Sequence, residues 1–92
     1  MNALLPVLTV ALAAVLAAPA ALAGPRCTDA PRSEWLPAKT MRDRITSAGY
    51  AIDEFKVSGS CYEIYGKDRT GRKVEIYYDP TDGRVVKQRD QD

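Results

Sequence analysis

The stretch from Cys61 to Val86, CYEIYGKDRTGRKVEIYYDPTDGRVV, limits the possible folds of this chain more than any other. It is made of short alternating runs separated by two turn-forming clusters, Asp68-Arg69-Thr70-Gly71 and Asp79-Pro80-Thr81-Asp82-Gly83. A period of two sends successive side chains to opposite faces of a strand. In the run Arg72 to Tyr78, Val74, Ile76 and Tyr78 share one face, and Lys73, Glu75 and Tyr77 share the other. Gly71 is placed for positive φ, and Pro80 fixes φ early in a turn that Gly83 closes. Strands are therefore expected over Cys61 to Gly66, Arg72 to Tyr78 and Arg84 to Lys87, with a frayed polar tail from Gln88.

Upstream the period is helical. Met41, Ile45 and Ala48 fall on one narrow stripe, while Lys39, Arg42, Asp43 and Arg44 take the wet side. A helix is expected from Pro37, a residue favoured in the first turn, to Ala48, with Gly49 as its left-handed stop. Trp35 is expected to pack beside the stripe. After Gly49 the pattern alternates again, but Tyr50 and Ile52 have one parity and Phe55 and Val57 the other, which predicts a bulge near Asp53-Glu54. Ser58-Gly59-Ser60 turns the chain into the next strand.

One helix followed by four tightly connected strands implies antiparallel neighbours in a meander. A single helix covers only one face of such a sheet, so the expected fold is a two-layer α+β domain, one helix on a four-stranded antiparallel meander sheet. The expected organisation is a leader over 1–23, an extended lead-in over 24–36, the α+β domain over 37–88 and a polar tail over 89–92.

The leader is read from composition. Residues 1–25 carry no charged side chain, Val7 to Leu16 is an apolar run, and Ala21-Leu22-Ala23 offers the small-x-small pattern of a signal-peptidase site. Cleavage between Ala23 and Gly24 is expected, although the n-region lacks Lys and Arg; an uncleaved anchor is the alternative, disfavoured by Pro6 and Pro19. The destination is the periplasm or the exterior. There, Cys27 and Cys61, the only two cysteines, are expected to form a disulfide. A domain of this size benefits from such a staple, worth about 3–4 kcal/mol in the chain-entropy account. A metal site is the rival use of the pair, but the chain has no histidine and no Cys-x-x-Cys spacing.

The quoted segments, in their order, carry a resemblance. They are Trp35-Leu36-Pro37 before a short helix, Gly49-Tyr50 at its end, Cys61-Tyr62-Glu63-Ile64, Gly71-Arg72-Lys73-Val74-Glu75-Ile76-Tyr77, and Asp79-Pro80-Thr81-Asp82-Gly83-Arg84-Val85-Val86. The chain resembles the PepSY-like domains of bacterial secreted proteins, named for peptidase propeptides and related envelope proteins. The resemblance implies a small helix-plus-sheet module outside the cytoplasm, in a family where some members inhibit or escort peptidases. It brings no catalytic residues and no cofactor, and cysteines are not part of its general pattern.

Chemistry read from the residues themselves agrees with a non-enzyme. Without histidine there is no histidine-dependent triad or proton shuttle. The serines sit in lead-in, helix-end and turn contexts and show no nucleophile signature. Asp68, Asp79 and Asp82 raise calcium, but they lack the ligand number of a calcium loop and suit turn chemistry, so no metal is assigned. With 13 basic and 12 acidic residues, nothing favours nucleic acid or, after cleavage, a membrane. Glu63 and Glu75 are expected on the face away from the helix, as cross-strand salt partners interleaved with Lys73. Together with Tyr65 and Tyr77 they form the candidate protein-binding face, since tyrosine adds contact area at low entropic cost. The expected protein is a monomer that binds an envelope or secreted polypeptide, with a peptidase as one candidate partner. A small-ligand or signal-sensing envelope domain, and a structural component without a discrete site, are the alternative readings.

Overall fold

The computed structural model describes residues 24–91. The expected leader over 1–23 lies outside the described residues. The element order is helix α1 (Ala38–Ser47) followed by strands β1 (Ala51–Ser58), β2 (Cys61–Lys67), β3 (Lys73–Tyr78) and β4 (Val85–Asp90). All neighbours are antiparallel and the sheet order is β1-β2-β3-β4, the meander the tight turns require.

Pro37 stands just outside α1, and its carbonyl accepts the first helical bond from the Met41 N–H at 3.0 Å. The helix ends because Gly49 takes φ of 103°. The Tyr50 N–H then reaches back to the Ile45 carbonyl at 3.3 Å and the Gly49 N–H to Thr46 at 3.0 Å, a Schellman closure that satisfies carbonyls the helix leaves unpaired. The buried stripe is narrower than expected: Met41 and Ile45 are buried, whereas Ala48 is exposed as the chain leaves the helix.

The core consists of Met41 and Ile45 from the helix with Tyr62, Ile64, Val74, Ile76 and Tyr78 from the sheet. β1 reaches this core through a bulge. Its register shifts between Ile52 and Glu54, so Ile52, paired with Gly66, and Phe55, paired with Ile64, both face the helix. Trp35 packs edge-on against Tyr62 with ring centroids 5.3 Å apart, and Phe55 lies 5.0 Å from the same ring. The Tyr62 hydroxyl donates to the Leu36 carbonyl at 2.7 Å, and the Leu36 N–H donates to the Pro80 carbonyl at 2.7 Å. The lead-in is thus stitched to the sheet by its backbone as well as by its aromatic ring.

Its other end is fastened at the β1–β2 turn. Cys27 and Cys61 are disulfide-bonded with Cα atoms 5.1 Å apart. The Ser60 hydroxyl accepts from the Cys27 and Thr28 N–H groups at 2.7 and 3.2 Å, and the Ser60 N–H donates to the Pro25 carbonyl at 3.0 Å.

β4 does not stop at Lys87: it runs to Asp90, and the Gln91 N–H still bonds the Lys73 carbonyl at 2.8 Å. The polar residues from Gln88 carry no apolar period, but β3 offers them a full row of backbone partners. A cross-strand ion pair between Arg72 and Asp90, at 3.3 Å, helps hold the end.

Candidate functional site

Two rows of side chains cross the sheet face that the helix leaves uncovered. The ladder aligns Glu54, Tyr65, Glu75 and Arg89 in one row, and Lys56, Glu63, Tyr77 and Lys87 in the next. At the centre, Glu63 and Tyr65 on β2 meet Tyr77 and Glu75 on β3, so like residues stand on the diagonals. Cations come from the two edge strands. The sequence reading placed Glu63, Tyr65, Lys73, Glu75 and Tyr77 on one face, and the alternation of β2 and β3 does bring them there.

Depth within that face is uneven, and the charges are not the outermost groups. Glu63 is 2% exposed and Glu75 6% exposed, deeper than the half-buried tyrosines that flank them. The reason is position: both glutamates lie on the two central strands, flanked by tyrosines and by the long side chains of the edge strands. Lys73 sits at the margin of the group, opposite Lys67 in the ladder, rather than between the glutamates.

Glu75 is well supplied with donors. The Tyr77 hydroxyl donates to its Oε2 at 2.8 Å, Gln91 donates to its Oε1 at 3.5 Å, and the Arg89 guanidinium lies 3.2 Å from Oε1. Glu63 is not: its Oε2 is buried without a hydrogen-bond partner among the described residues. Lys56, opposite Glu63 in the ladder, holds its ammonium 5.3 Å from the Tyr65 ring centre and 4.0 Å from Glu54.

The electrostatics follow from this crowding. Burial, then the hydrogen bond to Glu75, raises the Glu63 carboxyl above the ordinary glutamate value. The hydrogen bond from Glu63 leads the effects that hold Glu75 below it, with Tyr77, Tyr65 and Arg89 adding to the same side. Burial, followed by the bond to Glu75, pushes the Tyr77 phenol up to about 12. Burial and the mutual hydrogen bond thus push the two carboxyls in opposite directions, with Glu63 the one that holds its proton more tightly.

Arg89, Lys56 and Gln91 were missed by the sequence reading. Register is the signal that finds them, and for Arg89 it is hidden by a second bulge. The ladder shifts between Tyr77, opposite Lys87, and Tyr78, opposite Val85, leaving Val86 as the extra residue. Without that shift, Val86 and Gln88 would occupy the places held by Lys87 and Arg89.

Asp68 and Asp79, weighed above as calcium ligands, are engaged as turn acceptors. Asp68 Oδ1 accepts from the Thr70 N–H, the Thr70 hydroxyl and the Arg72 N–H at 2.9, 2.7 and 3.0 Å. Asp79 Oδ1 accepts from the Thr81 N–H and hydroxyl at 2.9 and 2.6 Å, while Arg84 reaches its other oxygen at 3.3 Å. These are Asx-type turns, and they account for both carboxylates.

A family model described as peptidase propeptide and YPEB domain matches residues 7–89. No curated protein and no solved structure shows a significant match. Among the described residues, no helix is long and apolar enough to cross a membrane. The disulfide and the matching model together point to a protein that works outside the cytoplasm.

Proposed function

Because the chain belongs to the peptidase propeptide and YPEB domain family, we propose that it is an exported polypeptide-binding module whose partner is a peptidase that it restrains or escorts. Its leader is removed before Gly24, and the disulfide-bonded domain acts in the periplasm or the exterior. Such a module regulates a catalyst and supplies no catalytic group of its own. The observation that carries this reading is the uncovered sheet face, where Tyr65 and Tyr77 stand half-buried around a buried carboxyl pair. Tyrosines held by a rigid sheet and flanked by charge are the composition of a protein-recognition patch.

The small-ligand alternative requires an enclosed apolar pocket. The apolar hollow between helix and sheet, lined by Met41, Ile45, Tyr50, Tyr78 and Val85 among others, measures about 150 Å³. Ligand pockets begin at roughly 300 Å³; the hollow that reaches about 320 Å³, lined by Gly49, Tyr50, Asp68 and Arg69 among others, is open and more polar than apolar, so the outer face is the better candidate.

The test is capture from an envelope extract by the disulfide-bonded protein, compared with a Tyr65→Ser/Tyr77→Ser double variant. The proposal expects a peptidase among proteins retained by the parent and lost with the variant, and an altered activity of that peptidase on addition of the parent. Equal capture by both proteins would overturn the assignment of this face.

A further inference from the structure

The uncovered face is short of one positive charge at its centre. Glu75 has Tyr77, Gln91 and Arg89 around it, whereas Glu63 keeps a buried oxygen with no partner among the described residues. The charged and titratable groups that face Glu63 are Lys56 and Glu54 from β1, Tyr65 from its own strand, Glu75 and Tyr77 from β3, and Lys87 and Arg89 from β4. Arg89 is engaged by Glu75, and Lys56 by the Tyr65 ring and Glu54. Two carboxyls on diagonal positions of neighbouring strands do not both ionise readily unless a further cation lies between them; otherwise one keeps its proton. Buried polar atoms in native proteins are almost always paired; in the free protein a proton held with Glu75 serves Glu63, and a donor from outside can take that proton's place.

We propose that the Glu63–Glu75 pair receives the guanidinium or ammonium group of an arginine or lysine side chain on a partner polypeptide, with Tyr65 and Tyr77 packing along its stem. This inference rests on the reading of the outer face as a polypeptide-binding surface and names the chemistry it selects. Lys56, opposite Glu63 in the ladder, is free to move, because it is exposed and lies on an edge strand. When Lys56 swings aside, the incoming cation takes its place over the Tyr65 ring and meets the unpaired Glu63 oxygen. The face is an open sheet surface, so a free small cation would be contacted mainly from one side. A polypeptide adds contacts along the tyrosine rim, which is why the occupant is a side chain of a larger partner. The cation replaces the proton held by the pair, so binding releases a proton and strengthens as pH rises.

The test uses the disulfide-bonded protein and two short peptides that differ at one position, arginine in one and its neutral isostere citrulline in the other. Backbone amide shifts are followed by NMR at about pH 5 and about pH 7.5, the second less favourable to a raised carboxyl's proton. The arginine peptide should give saturable shifts centred on Glu63, Tyr65, Glu75 and Tyr77, about tenfold tighter at the higher pH. Citrulline should bind about tenfold more weakly or not at all. Glu63→Gln keeps the shape of the protonated carboxyl, and its amide spectrum reports whether the fold is retained. It should weaken the arginine peptide and remove the pH dependence. Equal binding of the two peptides, shifts centred elsewhere, no saturable shift, or an unaltered Glu63→Gln variant would overturn the proposal. If that happens while capture of a polypeptide still depends on Tyr65 and Tyr77, the cation assignment alone fails. If capture is also insensitive to the tyrosines, the reading of the face fails with it.

Discussion

Arg89 on β4 lies 3.2 Å from Glu75 on β3, and the bulge at Val86 is what turns it to that side of the sheet. An unbulged ladder would set Gln88 opposite Glu75 and point Arg89 toward the helix layer. Glu75 is buried and Arg89 half-exposed, so the pair has an intermediate value. Arg89→Ala should lower stability at neutral pH by about 1 kcal/mol, measured by urea unfolding, and by less in acid where Glu75 is protonated. Equal losses at both pH values would mean that Arg89 acts through packing rather than charge.

The carboxylates give stability a maximum in mild acid. The pKa of Glu63 is raised in the folded state, so its contribution is complete below the ordinary value of 4.5 and is lost as pH climbs through the raised folded value. Glu75, Asp68 and Asp79 are lowered, so their contributions are present above the ordinary values of 4.5 and 3.8 and are lost as pH falls through the depressed ones. For Asp79, burial pushes upward, but the Thr81 bonds and Arg84 outweigh it. Urea midpoints measured over about pH 3 to 8 should fall on both sides of this maximum. In Glu63→Gln the decline toward neutral pH should flatten while the acid limb remains.

The disulfide closes the lead-in onto the β1–β2 turn, and its loss acts on the unfolded chain as well as on the fold. Cys27→Ser/Cys61→Ser should destabilise by about 3–4 kcal/mol, and reducing agent should lower the parent to the same level. A much smaller loss would show that the Ser60 and Leu36 backbone bonds already hold the lead-in. Amide exchange at Cys27, Thr28 and Ser60 separates the two cases.

Most of the fold was legible because its signals are local. Gly49 and Gly71 stop a helix and close a turn through backbone conformations that other residues rarely adopt, with φ of 103° and 87°. The parity change between Ile52 and Phe55 announced the first bulge, since both residues must face the helix. The second bulge gave no such warning: Val85 and Val86 are both exposed, so neither is committed to a face by burial. That ambiguity hid the length of β4 and the position of Arg89 together. Burial of Glu63 and Glu75 was hidden for a different reason. Alternation assigns a side chain to a face, but depth within the face is set by the neighbours on adjacent strands. Those neighbours, Lys56 and Arg89 among them, are known only once the register is fixed.

If Glu63 and Glu75 share one proton on a face that lacks one cation, their carboxyls titrate apart. Carboxyl-carbon NMR titration of the disulfide-bonded protein tests it most directly. Two separated steps are expected, one above 4.5 reported mainly by Glu63 and one below it reported mainly by Glu75. A single step for both residues at the ordinary glutamate value would contradict it.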